Sequence, residues 1–137
     1  MIRNTSMQPR RSFIFVPGLR PDMFPKALAS GVDIVCVELE DGIAPKDKAE
    51  ARQKALALFS KPQPNDGVER IVRINSMREK FGIEDVNAIL SAKTPPPALM
   101  MPKVRSPDEV KMLDQLLSEA GHDTCLLYTS PSPRDSA

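Results

Sequence analysis

The sequence predicts an α/β fold built on a parallel sheet. Short apolar runs alternate with segments of helical periodicity, and the runs are continuously apolar rather than alternating. Such strands are typical of a parallel sheet covered by helices. Polar residues follow the predicted strands at the points where they end. Because the carboxyl ends of parallel strands meet at one edge, this pattern predicts an active site there.

The first two strand–helix units occupy the N-terminal part of the chain. A strand over residues 13–16 stops at Pro17-Gly18, and a short helix follows over about residues 21–30, with a break or new start at Pro25. A second strand covers about residues 34–39. Its helix, over about residues 47–59, is rich in Ala, Lys, Arg and Gln, which are good helix formers.

The third and fourth units repeat this order. A strand over residues 70–74 follows a loop at residues 61–67, and the fourth strand covers residues 98–101 after a proline-rich break. Between them, one face of a third helix is predicted by apolar residues at helical spacing: Ile83, Val86, Ile89 and Leu90.

The fourth helix has the clearest start and stop signals. Ser106 is an N-cap, Pro107 suits the first helical position, and Glu109 completes a Ser-x-x-Glu capping box. Gly121 predicts the C-terminal stop. The predicted buried stripe consists of Val110, Leu113, Leu116, Leu117 and Ala120.

Both ends of the chain are expected to lie outside the domain, which is assigned to residues 11–124. Residues 1–10 are predicted to be a flexible tail. Residues 125–137 have no periodicity and match what one reading frame of a sequencing-library transposon adapter would encode. We therefore expect a non-native, adapter-derived tail, or else a disordered Ser/Pro-rich one, and exclude these residues from the predicted fold.

Bulk composition argues against several classes of partner. The net charge is +1, from 19 basic and 18 acidic residues, and aromatic residues are 4% with no Trp. This favours neither a nucleic-acid nor a membrane partner, since both need a concentrated basic face. The two cysteines form no disulfide framework or metal-site spacing. No signal peptide is recognisable, and a cytoplasmic location is expected.

The strand ends supply the candidate site residues. Glu40 and Asp41 follow the second strand, Arg73 and Asn75 close the third, and Lys103 follows the fourth. Carboxylates removed from water are costly unless they are partnered. The structural alternative for Arg73 is an ion pair with Glu40 or Asp41.

For the two acids, the structural alternative is a salt bridge to the following helix. Lys48 and Arg52 lie four residues apart there and would repel each other without an acid between them. Since neighbouring strand residues face opposite sides, Glu40 and Asp41 can both face the site only if the strand has ended. We expect one acid in the site and one in its support.

Five motifs in order resemble the citrate lyase β-subunit-like enzymes of the HpcH/HpaI aldolase superfamily, which includes malyl-CoA and citramalyl-CoA lyases. Glu38 stands where that family often has Asp, and the resemblance covers about residues 11–121. The motifs are the run Arg11 to Pro21, Leu39-Glu40-Asp41, the Lys48/Arg52 pair, Arg73-Ile74-Asn75 and Pro102-Lys103-Val104.

The resemblance implies a (β/α)₈ barrel with Mg²⁺ at the carboxyl ends of its strands. Such a barrel takes roughly 250 residues, so the chain would be its first four β/α units, truncated. The direct metal ligands are expected in the missing half, with Asp41 a possible contact through water. The full-length protein is expected to be a homo-oligomer.

The activity implied is carbon–carbon cleavage of a 3-hydroxy dicarboxylyl-CoA such as malyl-CoA or citramalyl-CoA. Arg73 would donate to the thioester carbonyl, with Glu40 and Asp41 as the catalytic acids. Arg20 would bind coenzyme A phosphates, with a solvated surface arginine as the alternative. Lys103 would meet an anionic group of the substrate, although a structural pair with an acid of the barrel is favoured. Asn75, also assigned to substrate binding, would orient Arg73 or cap the next turn.

Two alternatives remain open. One is a class II pyruvate-type aldolase, which shares barrel and metal but acts on free hydroxy-keto acids. The other is a non-catalytic half-barrel, because four parallel strands leave a sheet edge and an apolar face uncovered. We expect this chain alone to show no lyase turnover and to self-associate.

Overall fold

The computed structural model describes Ile2–Arg3 and residues 11–128, and it contains one parallel sheet of six strands. The strands are β1 (Ile2–Arg3), β2 (Phe13–Pro17), β3 (Ile34–Glu38), β4 (Glu69–Arg73), β5 (Ala98–Met101) and β6 (Cys125–Tyr128). The helices are α1 (Phe24–Leu28), α2 (Lys48–Leu58), α3 (Lys80–Ser91) and α4 (Pro107–Glu119). Single 3₁₀ turns at Pro21–Met23 and Pro45–Asp47 lead into α1 and α2.

The sheet is wound in one direction. From β2 to β6, strands that are consecutive in sequence are also neighbours in space, and every pair is parallel. A doubly wound sheet would instead reverse its strand order part-way through. This order and the helix between each pair of strands are those of a (β/α) barrel segment. The prediction of an α/β fold with a parallel sheet is confirmed.

The two faces of the sheet are packed differently. The larger apolar cluster joins one face to the helices and contains the strand residues Val35 and Val72 together with helix residues such as Ala51 and Leu113. The opposite face carries a smaller cluster of Ile34, Cys36, Ile71 and Leu127, with Phe13, Ala98 and Met100 packed against it. Because the helices lie on one side only, the second face corresponds to the inside of a barrel.

The helices largely agree with the sequence patterns. In α4 the Ser106 hydroxyl accepts a hydrogen bond from the Asp108 N–H at 3.2 Å, and the capping box with Glu109 is present. Two predicted core positions are exceptions, because the side chain of Ile83 is 61% exposed and Ala120, predicted in the buried stripe of α4, is also exposed. The buried stripe of α3 instead runs through Gly82, Asp85, Val86 and Ile89. Val86, Ile89 and Leu90 pack against the core as predicted, but apolar periodicity wrongly included Ile83 and missed the buried glycine and acid.

The C-terminal boundary needs correction. Residues 125–137 were expected to lie outside the fold, but Cys125–Tyr128 forms β6, which pairs with β5. Its four consecutive residues with large or apolar side chains fit a buried strand, and Leu126 and Leu127 fill the two apolar clusters. The sheet after residue 11 therefore has five strands, not four. The adapter origin of residues 125–137 stays a prediction, and residues 129–137 lie outside the described part.

The N-terminal boundary also differs in part. Ile2–Arg3 was included in a predicted flexible tail, but it pairs with Leu126 and Leu127 as β1. The edge of β6 offers unpaired backbone groups, which a short extended segment can satisfy. The rest of that predicted tail lies outside the described residues.

Candidate active site at the carboxyl ends of the strands

Arg73 lies at the centre of the polar cluster, at the end of β4. The register places Arg73 directly beside Glu38 on β3, so both side chains point to the inner face of the sheet. Arg73 Nη2 lies 2.5 Å from Glu38 Oε2. Sequence reasoning noted Glu38 only as a family departure and missed this contact. The available signal was a single acid within an otherwise apolar strand.

Glu40 and Asp41 both approach the same guanidinium. Arg73 Nη2 lies 3.4 Å from Asp41 Oδ2, and Arg73 Nε lies 3.6 Å from Glu40 Oε1. Strand β3 ends at Glu38, so the alternation of side chains no longer separates the two acids. The Glu40 carboxylate is nearly buried, whereas that of Asp41 is 71% exposed. Glu40 therefore suits a supporting role and Asp41 a reacting one.

Lys103 completes the cluster from the loop after β5. Its Nζ lies 3.3 Å from Glu40 Oε2. Lys103 has a positive φ of 50°, which is uncommon for a residue with a side chain. The Arg78 guanidinium donates to the Lys103 carbonyl at 2.8 Å and also approaches Glu109. This contact holds the loop so that the ammonium group reaches Glu40.

The electrostatics of the cluster keep Arg73 charged. Burial opposes the charge, but the hydrogen bond and negative charge of Glu38, together with Glu40 and Asp41, outweigh burial and raise the pKa of Arg73. The face of Phe15 lies 5.0 Å from the Arg73 guanidinium carbon, within the range of a cation–π contact.

One donor of Arg73 has no acceptor. Arg73 Nε is buried and makes no hydrogen bond, since 3.6 Å to Glu40 is too long for one. An unsatisfied buried N–H costs about 1–3 kcal/mol. An oxygen atom of a ligand placed beside Nε would remove that cost, which makes this atom the best indication of a binding site.

Lys48 and Asn75 lie behind the cluster. The Lys48 ammonium donates to the carbonyls of Leu39 and Glu40 at 3.1 and 2.8 Å and to Asn75 Oδ1 at 2.7 Å. Asn75 is only 1% exposed, and its Nδ2 donates to the Leu39 carbonyl at 3.0 Å. Since its amide is fully bonded within the protein, the geometry favours a structural role for Asn75 over contact with substrate.

Asp85 on α3 hydrogen-bonds to Asn75, and the sequence patterns did not indicate this residue. Its carboxylate is fully buried and accepts from Arg52 Nε at 2.8 Å and from Asn75 Nδ2 at 2.7 Å. The expected salt bridges of Lys48 and Arg52 to Glu40 or Asp41 are not those observed. Lys48 contacts the backbone of the acidic segment, and Arg52 contacts Asp85 and Glu84. Asp85 lies outside the predicted apolar face of α3, so the sequence carried no signal for it.

Arg20 lies apart from the contacts of Arg73. It follows β2 at the same end of the sheet, where its guanidinium forms two hydrogen bonds to the Asp22 carboxylate at 3.1 and 3.0 Å. That hydrogen bond and the charge of Asp22 raise the pKa of Arg20. Arg20 lines a groove of about 460 Å³ together with Lys26, Ile14 and Met23. A role in binding phosphate groups stays a prediction.

The part of the chain that the structure describes does not assemble a metal site. Within it, no three His, Cys, Asp or Glu side chains are arranged to hold an ion. Glu38 and Glu40 are engaged by Arg73 and Lys103, which leaves Asp41 as the accessible carboxylate. The described residues therefore do not fit direct coordination of Mg²⁺, and only a contact through water is open to Asp41.

Across residues 2–3 and 11–128, none of the helices is both long and apolar enough to cross a lipid bilayer.

The chain belongs to the HpcH/HpaI aldolase/citrate lyase family, whose model matches residues 11–128. The parallel sheet and the strand-end cluster described above therefore lie in a domain of this family. The match reaches Tyr128, which agrees with the inclusion of β6 in the sheet.

Curated relatives are named as lyases of CoA thioesters and of citrate. Human mitochondrial citramalyl-CoA lyase is 33% identical over 75% of this chain and 30% of its own length. The citrate lyase β subunit of Haemophilus influenzae is 31% identical over 82% and 38%. The L-malyl-CoA/β-methylmalyl-CoA lyase of Cereibacter sphaeroides is 36% identical over 81% and 35%.

Solved structures show the same fold. RipC from Yersinia pestis has a TM-score of 0.70 at 32% identity, covering 93% of this chain and 49% of its own. CitE from Mycobacterium tuberculosis, in complex with magnesium, acetoacetate and coenzyme A, has a TM-score of 0.62 at 30% identity, covering 85% and 39%. The chain thus spans about a third of the curated relatives and at most about half of these structures.

Proposed function

We propose that the chain forms the Arg73 side of the active site of a Mg²⁺-dependent carbon–carbon lyase. The substrate would be a 3-hydroxy dicarboxylyl-CoA thioester of the malyl-CoA or citramalyl-CoA type. The unpaired Nε of Arg73 carries this proposal, because it offers a charged donor to an oxygen atom beside three carboxylates. The names of the relatives, which include citramalyl-CoA and malyl-CoA lyases, support the substrate class.

The reaction is a retro-Claisen cleavage. A carboxylate takes the proton of the 3-hydroxyl group, and the electrons of that O–H bond form the carbonyl of an α-keto acid. The carbon–carbon bond then breaks, and its electron pair passes into the thioester as an enolate. Protonation of the enolate carbon gives acetyl-CoA from a malyl-CoA substrate.

The residues of the cluster divide these tasks. Arg73 Nε would donate to the thioester oxygen as it becomes an enolate oxygen, where a fixed charge stabilises the transition state. Asp41, the exposed carboxylate, would accept the hydroxyl proton. Glu38 and Glu40 would hold the guanidinium, while Lys103 would meet an anionic group and Arg20 the phosphates of coenzyme A.

Magnesium enters the proposal from related structures, since CitE has been solved with magnesium and pyruvate. As a Lewis acid, the ion would polarise keto and carboxylate oxygens when bound. The described residues supply no direct ligand set, so this chain's own contribution is the charge of Arg73 and the carboxylate of Asp41.

The test uses the full-length protein encoded by the uninterrupted reading frame. We expect release of acetyl-CoA from malyl-CoA or release of the α-keto acid from citramalyl-CoA, only with Mg²⁺, and no cleavage of free hydroxy-keto acids. Cleavage of the free acids with no action on thioesters would instead establish a pyruvate-type aldolase.

Arg73→Lys should lower kcat about 100- to 1,000-fold, because lysine keeps the charge but lacks the Nε donor. Steady-state kinetics with the thioester measure this effect. The matched control is Arg105→Lys, the same substitution at an exposed arginine, which should leave kcat unchanged. An Arg73→Lys enzyme with the kcat of the parent would contradict the role of Nε.

A further inference from the structure

Asp85 is a fully buried carboxylate on α3 that contacts Asn75, just after the end of β4. We propose that Asp85 is a positioning residue, which fixes Arg73 and Glu40 through Asn75 and Lys48 without touching substrate. The functional meaning of this role rests on the proposed function, but the geometry and its test do not.

The first step joins α3 to the end of β4. Asp85 Oδ2 accepts two hydrogen bonds from Asn75, one from the backbone N–H at 2.9 Å and one from Nδ2 at 2.7 Å. Asp85 Oδ1 accepts from Arg52 Nε at 2.8 Å. Both oxygens are therefore engaged by N–H donors, and the backbone two residues after Arg73 is held in place.

The second step joins Asn75 to the end of β3. Asn75 Nδ2 also donates to the Leu39 carbonyl, and Asn75 Oδ1 accepts from Lys48 Nζ, which in turn donates to the Leu39 and Glu40 carbonyls. The Leu39 N–H donates to the Arg73 carbonyl at 3.0 Å. One connected set of hydrogen bonds thus fixes the backbone of Leu39-Glu40 relative to that of Arg73.

The third step concerns charge. Asp85 forms an ion pair with Arg52, and Asn75 links Asp85 to the Lys48 ammonium, whose described hydrogen bonds go to uncharged oxygens. Those two cations were the expected partners of Glu40 and Asp41. Since Asp85 and the backbone engage them instead, the carboxylates of Glu40 and Asp41 remain beside Arg73.

The experiment follows the Arg73 Nε–Hε resonance by ¹⁵N-edited NMR of this chain without ligand, assigned by its loss in Arg73→Lys. Asp85→Asn keeps the side-chain shape. An amide has a single acceptor oxygen, so its NH2 group would face an N–H donor that the carboxylate now accepts from. We expect the Arg73 resonance to move or to broaden by exchange, as the guanidinium samples more than one position.

The matched control is Asp66→Asn. The Asp66 carboxylate accepts two hydrogen bonds from the buried Arg70, at 2.8 and 2.9 Å. This pair lies at the amino end of β4, whereas Arg73 lies at its carboxyl end. This variant also removes a carboxylate from an arginine pair, yet it should leave the Arg73 resonance in place. The proposal is overturned if the Arg73 resonance is unchanged in folded Asp85→Asn, or if it moves equally in Asp66→Asn.

A second variant covers a failure of Asp85→Asn to fold. Arg52→Gln removes the charge beside Asp85 but leaves the Asn75 contacts available, so a smaller movement of the same resonance is expected; no movement overturns the proposal. Adding acetyl-CoA and Mg²⁺ to the parent chain tests the proposed function separately. An Arg73 resonance that ignores these ligands counts against ligand binding, whereas the variants report on positioning alone.

Discussion

At the scale of single residues, the sequence predicted which strand-end side chains meet, but not all of their partners. Arg73, Glu40, Asp41 and Lys103 were expected at one edge, and their charged groups lie within 4 Å of one another in a chain of contacts. These positions follow from strand ends alone. Glu38 required knowledge of the register between β3 and β4, which no local pattern provides.

Cys36 provides a residue-scale prediction from its surroundings. Burial, with a smaller contribution from the charge of Glu38, raises the pKa of the Cys36 thiol to about 12. Against the usual value of 9.0, its thiolate fraction at pH 8 falls about a thousandfold. Iodoacetamide at pH 8 should therefore modify Cys125, which is partly exposed, and spare Cys36 in the folded chain.

Mass spectrometry of the labelled chain measures this difference, with the denatured chain as control, where both thiols should react at similar rates. The same shift predicts a pH effect on stability. Because the folded pKa is raised, the neutral thiol's contribution is complete below about pH 9 and is lost as pH rises towards 12. Rapid native labelling of Cys36 would contradict the packing of the inner face.

At the scale of elements, the existence and order of the helices were predictable, but the docking of α3 was not. The buried stripe of α3 contains Gly82 and Asp85, neither of which an apolar pattern selects. Gly82 lets the helix approach the loop after β4, and that approach brings Asp85 to Asn75. The hydrogen bonds that join Asp85, Asn75 and Lys48 thus depend on a tertiary contact that only the packed structure reveals.

Gly82→Ala tests this contact, because helix propensity and packing predict opposite changes in the free energy of unfolding. Helix propensity alone would stabilise the variant by about 1 kcal/mol. However, a Cβ atom at Gly82 would lie 1.8 Å from the Ser76 carbonyl oxygen, so α3 must move away. We expect a net loss of about 1–3 kcal/mol in the free energy of unfolding, measured by urea denaturation.

The control is Asn87→Ala, at an exposed position of the same helix. This variant should be unchanged or slightly stabilised, because alanine is the better helix former. A Gly82→Ala chain at least as stable as the parent would show that α3 does not need this approach.

Ser106→Ala tests the start of α4. Loss of the hydroxyl removes the acceptor of the Asp108 N–H, while the Glu109 carboxylate keeps its hydrogen bond from the backbone N–H of residue 106. The expected cost is about 1 kcal/mol in the free energy of unfolding. Ser118→Ala, at an exposed position in the last turn of α4, should cost nothing measurable by the same denaturation experiment; equal losses in both variants would argue against the cap.

At the scale of the whole molecule, the single direction of winding was implied by strand order, whereas the extent of the sheet was not. Cys125–Tyr128 was assigned to a tail because residues 125–137 have no periodicity and match an adapter reading frame. Four residues carry too little periodicity to identify a strand, and only the available edge of β5 reveals their place. Sequence therefore predicts the repeating units better than where they stop.

The free edge of β2 predicts self-association of this chain. β2 is the last strand of the sheet, and its Ile14 and Phe15 are exposed. Exposed apolar edge strands pair with other chains. We expect oligomers that dissociate in Ile14→Lys, because a charged edge residue disfavours strand pairing, and analytical ultracentrifugation measures the change.

The control is Ile83→Lys, which places the same charge at an exposed isoleucine of α3, away from any sheet edge. It should leave the oligomer distribution of the parent chain unchanged. A parent chain that sediments as a monomer, or an equal response to both substitutions, would remove β2 as the contact surface.

The left-handed backbone of Lys103 has a consequence for which residues this position can accept. Glycine would relieve a conformational cost of about 1–2 kcal/mol, yet it would leave Glu40 with Arg73 as its cation among the described contacts. Backbone conformation therefore favours glycine at position 103, whereas charge balance favours lysine. A glycine variant should gain stability while the released Glu40 carboxylate is drawn closer to Arg73 Nε, competing with any incoming oxygen.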